Sequence, residues 1–420
     1  MSRPNIILIM TDQQRADTIG ALGAPWMKTP HLDRLATEGA AFTECFVTSP
    51  VCVGARASLF TGKYPHGCQV FSNFQPWQPT WVGSLADQGY HCVNIGKMHI
   101  NPYDAPGGFH QRLIMENKDR PLFLEERDRA IYDEWDKALR AHKLTKPSRY
   151  NRHAADPEGY KQALGAFEWH LPADMHPDNF IGDTACWWIG DRKNRDPLFL
   201  QIGFPGPHPP YDPTPDALAA YADVDLPVPT VTRAELAAQP PAQQKLRDNM
   251  IEFNFDSIAW RRDVSQADLL RLRRHYAANV SMIDHQVGRI LAALDARGYL
   301  DNALVVFTSD HADALGEHGH IQKWTMYDSV VRVPLLFWSR NLPIERGSRD
   351  DLVQLFDVAP TILESAGLSV PADFEAQSLW GALSGRADHQ PRDAVYAELA
   401  RDHIQTGSEF ILMRRDRRWK

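Results

Sequence analysis

The chain has 420 residues, 43% of them hydrophobic, with 45 basic and 53 acidic side chains and a formal net charge of −8. That composition supports a large buried core in one large domain or two. With no basic run or stripe it excludes a nucleic-acid partner, and no stretch approaches the roughly 18 consecutive apolar residues of a membrane span.

In chain order, Met1-Ser2-Arg3-Pro4 leads straight into an apolar run at residues 5–11. The run is too short for the apolar region of a signal peptide and no small-residue cleavage site follows it. It therefore reads as a buried first strand, and the protein as cytoplasmic. Thr29 is placed to cap a helix that starts at Pro30, runs to Glu38 and stops at Gly39. Residues 41–47 read as a short strand, Arg56 to Phe60 as a helix start ended by Gly62, and 84–88 as helical. Residues 92–95 read as a strand running into Gly96-Lys97-Met98-His99. Residues 105–175 are polar, charged and aromatic, without an assignable period. With 210–265 they read as insertions shaping a substrate mouth, where Trp135, Trp169 and Trp188 either stack on a ring or simply pack.

Residues 197–202 form a buried strand that empties into the loop Pro205-Gly206-Pro207-His208-Pro209-Pro210. The stretch 266–298 is a long helix, with Leu269, Leu272, Tyr276, Val280, Ile283, Val287 and Ile290 along one side. Strands at 304–308 and 333–337, a helix at 357–366 and a strand at 410–413 follow. This alternation predicts an α/β sandwich with a central, mostly parallel sheet over residues 1–385. Residues 386–420 read as the start of a small α+β subdomain that stops in mid-hairpin and looks incomplete. Cys45, Cys52, Cys68, Cys92 and Cys186 are scattered without a C-x-x-C pair, which argues against a disulfide framework or a structural zinc site.

In an open α/β sheet, ligands bind beyond the carboxyl ends of the strands. Four predicted strands end in or lead to polar side chains: Asp12-Gln13, Lys97 with His99, His208, and Asp310-His311. Each alone is as readily a surface turn; the four together point to one ligand edge. A net negative chain can hold an anion only through local cations such as Lys97. Carboxylates and an amide oxygen suit Ca²⁺, Mg²⁺ or Mn²⁺, with the histidine leaning slightly toward Mn²⁺. Cys52 lies at a helix start with Arg56 one turn on, so its thiol is either an inert core group or a nucleophile.

The stretch Cys52-Val53-Gly54-Ala55-Arg56 with Ser58-Leu59-Phe60-Thr61-Gly62 resembles the signature of the formylglycine-dependent sulfatases of the alkaline phosphatase superfamily. Five further segments fall in that family's order: Pro4-Asn5-Ile6 to Asp12 with the 29–35 helix, Gly96-Lys97-Met98-His99, Pro207-His208-Pro209-Pro210, Thr308-Ser309-Asp310-His311, and Lys323 to Pro334. Together they span residue 4 to about 370.

The resemblance implies an alkaline phosphatase-like sandwich and one divalent cation, Ca²⁺ first and Mn²⁺ or Mg²⁺ next, on Asp12, Gln13, Asp310, His311 and the modified Cys52. It implies that a formylglycine-generating enzyme converts Cys52, whose hydrate attacks sulfur to give a covalent sulfo-enzyme. Arg56, Lys97 and Lys323 would carry the positive charge for the anion, Lys323 or His208 would serve the leaving oxygen, His99 would be the base, and Asn73 would bind substrate or simply form a turn. The partner is a small sugar, aryl or alkyl sulfate, and an oligomer is compatible. Two departures stand out. Gly54 replaces the family's Pro or Ala and would loosen the turn before Arg56, and Gln13 replaces a second Asp. The phosphonate monoester hydrolase branch shares Asp-Gln and Asp-His at the metal positions but lacks the Lys-x-His pair, so Lys97 and His99 favour sulfate esters. Alternatives are a phosphonate monoester or phosphodiester hydrolase on the same scaffold and, more remotely, a non-catalytic binder of a sulfated ligand.

Overall fold

The computed structural model describes residues 3–77, 79–116, 118, 133–193, 196–252, 256–386, 389–400 and 410–420. Nine strands form the main sheet: β1 (Asn5–Asp12), β2 (Ala40–Phe46), β3 (His91–Gly96), β4 (Gln111–Ile114), β5 (Leu198–Pro207), β6 (Ala303–Ser309), β7 (Arg332–Trp338), β8 (Gly347–Arg349) and β9 (Val353–Gln354). Their order is β4-β3-β5-β1-β6-β7-β2-β8, with β9 beside β2. The five strands from β4 to β6 are parallel, while β7 runs antiparallel to both β6 and β2. A separate antiparallel pair, β10 (Val395–Ala400) and β11 (Phe410–Arg415), lies near the C-terminus. The expected mixed, mostly parallel sheet is therefore present. The sequence does not indicate that β7 reverses, because an apolar run has no direction.

Strand β1 shows why a continuous apolar run was needed. Ile6, Leu8 and Met10 enter one core with Val53, Leu59 and Phe60 of the helix Cys52–Thr61, and with Ile362 and Leu363 of the helix Val358–Ser365. Ile7 and Ile9 enter the opposite core with Leu32 and Leu35 of the helix Pro30–Glu38, Ile181 of the helix Pro177–Asp191, and Ile283 and Val287 of the helix Gln266–Ala296. Both faces are covered, as a parallel sheet requires. The first half of the 31-residue helix Gln266–Ala296 carries Leu269, Leu272, Tyr276 and Val280 into a third cluster with Leu246, Met250 and Ile258. Among the described residues, no helix is long and apolar enough to cross a membrane.

Several local expectations change. The Thr29 side chain makes no cap; its hydroxyl donates to Asp33 at 3.0 Å and accepts from the Gly20 amide. Among the described residues, 105–175 contain the edge strand β4, three short α-helices and one 3₁₀ turn (Ala173–Met175), which lack a sustained period because each is under nine residues. Trp135, Trp169 and Trp188 are buried, and their indole N–H groups donate to Met175 O, Pro172 O and Gln111 Oε1. They pack; they do not offer a ring face to a ligand. All five cysteines are free.

Close approach of strands fixes one position near the site. A Cβ on Gly203 of β5 would lie 1.9 Å from the Lys97 carbonyl oxygen. Gly203 also accepts the Lys97 amide at 2.8 Å. Gly203→Ala is expected to cost about 1–3 kcal/mol through overpacking. The measurement is a lowered urea midpoint, with loss of activity exceeding the loss of folded protein because Lys97 must move.

Candidate active site

Strands β3, β5, β1 and β6 are neighbours, and their carboxyl ends deliver Lys97, His208, Asp12 and Asp310 to one edge. The helix Cys52–Thr61 begins at that edge. Ligand atoms of Asp12, Cys52, Asp310 and His311 all lie within 4.8 Å of one another, and all four residues are buried. Four of the five residues expected at a cation site meet here, from segments some 300 residues apart, while the fifth, Gln13, turns its amide oxygen toward Lys323.

The donor set fits a divalent cation. Among the described residues, Asp12 Oδ1 and His311 Nε2 are buried without a hydrogen-bond partner; they stand 3.7 Å apart, with Asp310 Oδ1 3.8 Å from the same nitrogen. His311 Nδ1–H donates to Ala312 O at 3.0 Å, which leaves Nε2 with its lone pair inward. Gln13 Nε2 donates to Asp313 at 2.6 Å, so its Oε1 turns the other way, to 3.5 Å from Lys323 Nζ. Buried acceptors with no donor are costly unless a cation serves them. An oxygen-rich set with one imidazole suits Ca²⁺, Mn²⁺ or Mg²⁺.

Positive charge rings these acceptors. Lys97 pairs with Asp12 Oδ2. Arg56 Nε meets Asp310 Oδ2 at 2.6 Å, while its Nη1 and Nη2 donate to the carbonyls of Lys97 at 3.1 Å and Thr11 at 3.4 Å. Arg56 thus ties the ends of β1, β3 and β6 together and is wholly buried. Burial opposes the Asp12 charge, yet Lys97, His208, His311 and Arg56 hold its carboxyl well below the usual carboxylate range. Burial and the Asp12 carboxylate push the Cys52 thiol up, but Lys323 and Lys97 outweigh them and the thiol falls below its ordinary value. A negative charge at residue 52 is therefore welcome, which fits a place built for an anion.

Lys323 Nζ lies 3.8 Å from Cys52 Sγ and 3.0 Å from His208 Nε2. His208 Nδ1–H donates to Pro209 O at 2.8 Å, so Nε2 accepts from the lysine. Burial and Lys323 keep the imidazole below its ordinary value, and so neutral. His99, two residues beyond Lys97, is buried with φ 64°, and its amide donates to Glu116 Oε2 at 2.8 Å. Asn73 sits half-buried in a turn closed by Gln75 Oε1, and no hydrogen bond joins it to the cluster among the described residues. Gly54 is not in a loose turn. It lies inside the helix, and a Cβ there would come 2.8 Å from Ser49 Oγ.

Three carboxylates escaped the sequence reading. Asp313 accepts from Gln13, from Tyr211 at 2.5 Å and from the amides of Leu315 and Gln322, so it orients the Gln13 amide. Its position two residues after His311 was the available signal. Glu116 takes the amides of Met98 and His99 and so shapes the Lys97 loop. Asp256 meets both Lys323 and His208, at 3.3 and 3.5 Å, from an insertion that carries no motif.

Comparison with known proteins shows the family. The family model described as Sulfatase matches residues 4–368. An arylsulfatase of Clostridium perfringens is 28% identical over 99% of this chain and 85% of its own. A choline-sulfatase of Rhizobium meliloti is 28% identical over 88% of this chain and 68% of its own. The crystal structure of a phosphonate monoester hydrolase of Agrobacterium radiobacter superposes with a TM-score of 0.79 at 24% identity, over 99% of this chain and 86% of that one, a likeness of fold.

Proposed function

We propose, for a chain that belongs to the sulfatase family and is a sulfuric ester hydrolase, that it cleaves a small sugar, aryl or alkyl sulfate to an alcohol and inorganic sulfate. The observation that carries this reading is the close meeting of Asp12, Cys52, Asp310 and His311 inside a ring of cations. Arylsulfatase and choline-sulfatase relatives support the aryl and alkyl classes. Asp12, Gln13, Asp310 and His311 would hold the cation, with calcium proposed first and Mn²⁺ or Mg²⁺ as outcomes of reconstitution. When bound, that cation would polarise the sulfuryl oxygens, and formylglycine derived from Cys52 would supply the attacking hydroxyl.

The chain's own residues do the rest. Lys97 and Lys323 stabilise charge on the sulfuryl oxygens as the bond to sulfur changes. Arg56 holds Asp310 and the strand ends in place and adds its charge from behind. Lys323, with His208 beside it, stands on the leaving-group side and hands a proton to the departing alcohol. His99 is the proposed base for the second hydroxyl of residue 52, and Asn73 a proposed substrate contact. Burial of Cys52, Arg56, Lys97, His99, His208 and Lys323 limits water at the reacting centre.

The test has two readouts. The enzyme is produced with a formylglycine-generating enzyme and the peptide spanning Cys52 is weighed. Catalytic efficiencies on an aryl sulfate and an aryl phosphonate monoester are then compared. An aldehyde or its hydrate, with sulfate preferred, is the expected result. A free thiol without sulfate turnover overturns the reading. The amide of Gln13, which lowers negative charge at the cation relative to a carboxylate, favours the second reading, a phosphonate monoester or phosphodiester hydrolase. Preference for the phosphonate would select it.

A further inference from the structure

Asp256 stands where two insertions reach the reaction site. Its Oδ2 lies 3.3 Å from Lys323 Nζ and 3.5 Å from His208 Nε2, and its Oδ1 lies 3.7 Å from Arg149 Nη1 of the helix Arg149–Ala155. The side chains of Lys323 and His208 are about 4–5% exposed, whereas that of Asp256 is 34% exposed. The carboxylate is therefore the solvent-side member of the trio. A lysine ammonium has three donors. Gln13 Oε1, His208 Nε2 and Asp256 Oδ2 approach Lys323 as three acceptors, with Cys52 Sγ at 3.8 Å and the Trp324 ring 5.2 Å away. Removing Asp256 would leave a four-carbon stem free to swing toward solvent or toward residue 52.

The backbone supports the assignment. Asp256 and Ser257 both adopt left-handed φ, 45° and 72°, which residues other than glycine rarely hold. Such strain persists only where the surroundings enforce it, and it clusters at working sites. The residue that follows these two, Ile258, is buried in the third core cluster and packs so close to Gly165 that a Cβ there would come 2.7 Å from its Cγ1.

We infer that Asp256 is a positioning residue for the leaving-group side of the reaction, holding the Lys323 ammonium beside His208 so that the departing oxygen receives its proton. This rests on the reading of Lys323 as the group serving that oxygen. As the S–O bond to the alcohol breaks, its electron pair stays on the alcohol oxygen. That oxygen takes a proton from the Lys323 ammonium, and the amine left behind is reprotonated from water at the mouth. Asp256 itself touches no reacting atom.

A proton donor matters most when the leaving oxygen is basic, so the test is a leaving-group series. Formylglycine-bearing holoenzyme is assayed on sulfates from 4-nitrophenyl through phenyl to alkyl, for the parent, Asp256→Asn, Asp256→Glu and Lys323→Met. Asp256→Asn is expected to lose a few-fold in kcat/KM on 4-nitrophenyl sulfate and about 100-fold on the alkyl ester, within the usual reach of general acid catalysis. Asp256→Glu should recover part of the alkyl activity. Asp256→Asn removes a carboxylate partner of buried Lys323, so the unfolding midpoint should fall somewhat, but a stability loss is the same for every substrate and cannot produce a dependence on the leaving group. A loss equal across the series, or no loss, overturns the inference while leaving the sulfatase reading intact. A flat series for Lys323→Met overturns the assignment of Lys323, and the role of Asp256 with it.

Discussion

Cys52→Ala is expected to lower sulfate-ester turnover by at least about 10⁴-fold with the fold retained. The estimate follows from the size of effects seen when a nucleophile is deleted, where the residual rate comes from binding and charge stabilisation alone. Here the residual would come from Lys97, Lys323 and the cation still held by Asp12, Asp310 and His311, weakened by loss of the ligand at residue 52. The competing view is an inert core thiol, since Cys52 is 6% exposed and sits among buried residues. The two views part sharply. An inert thiol predicts near-parent activity and a modest packing loss. A nucleophile precursor predicts dead enzyme with an unfolding midpoint close to the parent's. Steady-state assay on an aryl sulfate, with a urea curve on the same sample, decides. The surroundings favour the second: Cys45, also buried, has its thiol pushed well above the ordinary value by burial, with Asp357 adding to it, whereas cations bring Cys52 below. Retained turnover in Cys52→Ala would sink the mechanism.

Asp12→Asn should cost at least about 10³-fold in kcat/KM, equivalent to about 4 kcal/mol of transition-state stabilisation. Asp12 serves two masters: Lys97 on Oδ2, and on Oδ1 a space that contains no hydrogen-bond donor. An amide can turn its carbonyl oxygen to Lys97 or to a cation, not to both, and its NH₂ would then face the other positive charge. Cation content, measured by elemental analysis after dialysis, should fall with activity. The same change leaves Lys97 buried and without its partner carboxylate, so stability should fall as well. The sign of the pH effect follows from the depressed carboxyl. The stability from Asp12 is fully present above the ordinary carboxylate range and is lost as pH falls through the depressed folded value. At neutral pH the ion pair is therefore intact. A variant that keeps its cation and most of its activity would show that Asp12 is not a ligand.

The elements that were legible in the chain are those with a strong local signature. The apolar runs of β1, β5 and β6 and the stripe from Leu269 to Ile290 in the long helix needed only hydrophobic periodicity. The edge strand β4 and the short helices of residues 134–163 did not, because a four-residue strand or a helix of two turns leaves too few repeats to read. The Gly54 departure was visible, but its meaning was not. Only the packing of Ser49 against the helix shows that the position needs a hydrogen atom rather than a loose turn.

By itself, the sequence determined which residues would stand at strand ends. Asp12, Lys97, His208 and Asp310 each follow an apolar run, and burial of that run forces the next polar residue to the sheet's carboxyl edge. The tertiary structure decided who touches whom. The order β3-β5-β1-β6 places those four ends side by side, and pairing order depends on long-range packing that no local window contains. It turned Arg56 toward Asp310 and two carbonyls, and it set Gln13 by way of Asp313. It also brought Asp256 to Lys323 through a strained turn that precedes the buried Ile258, because a side chain's partners are fixed by where its backbone is held in space.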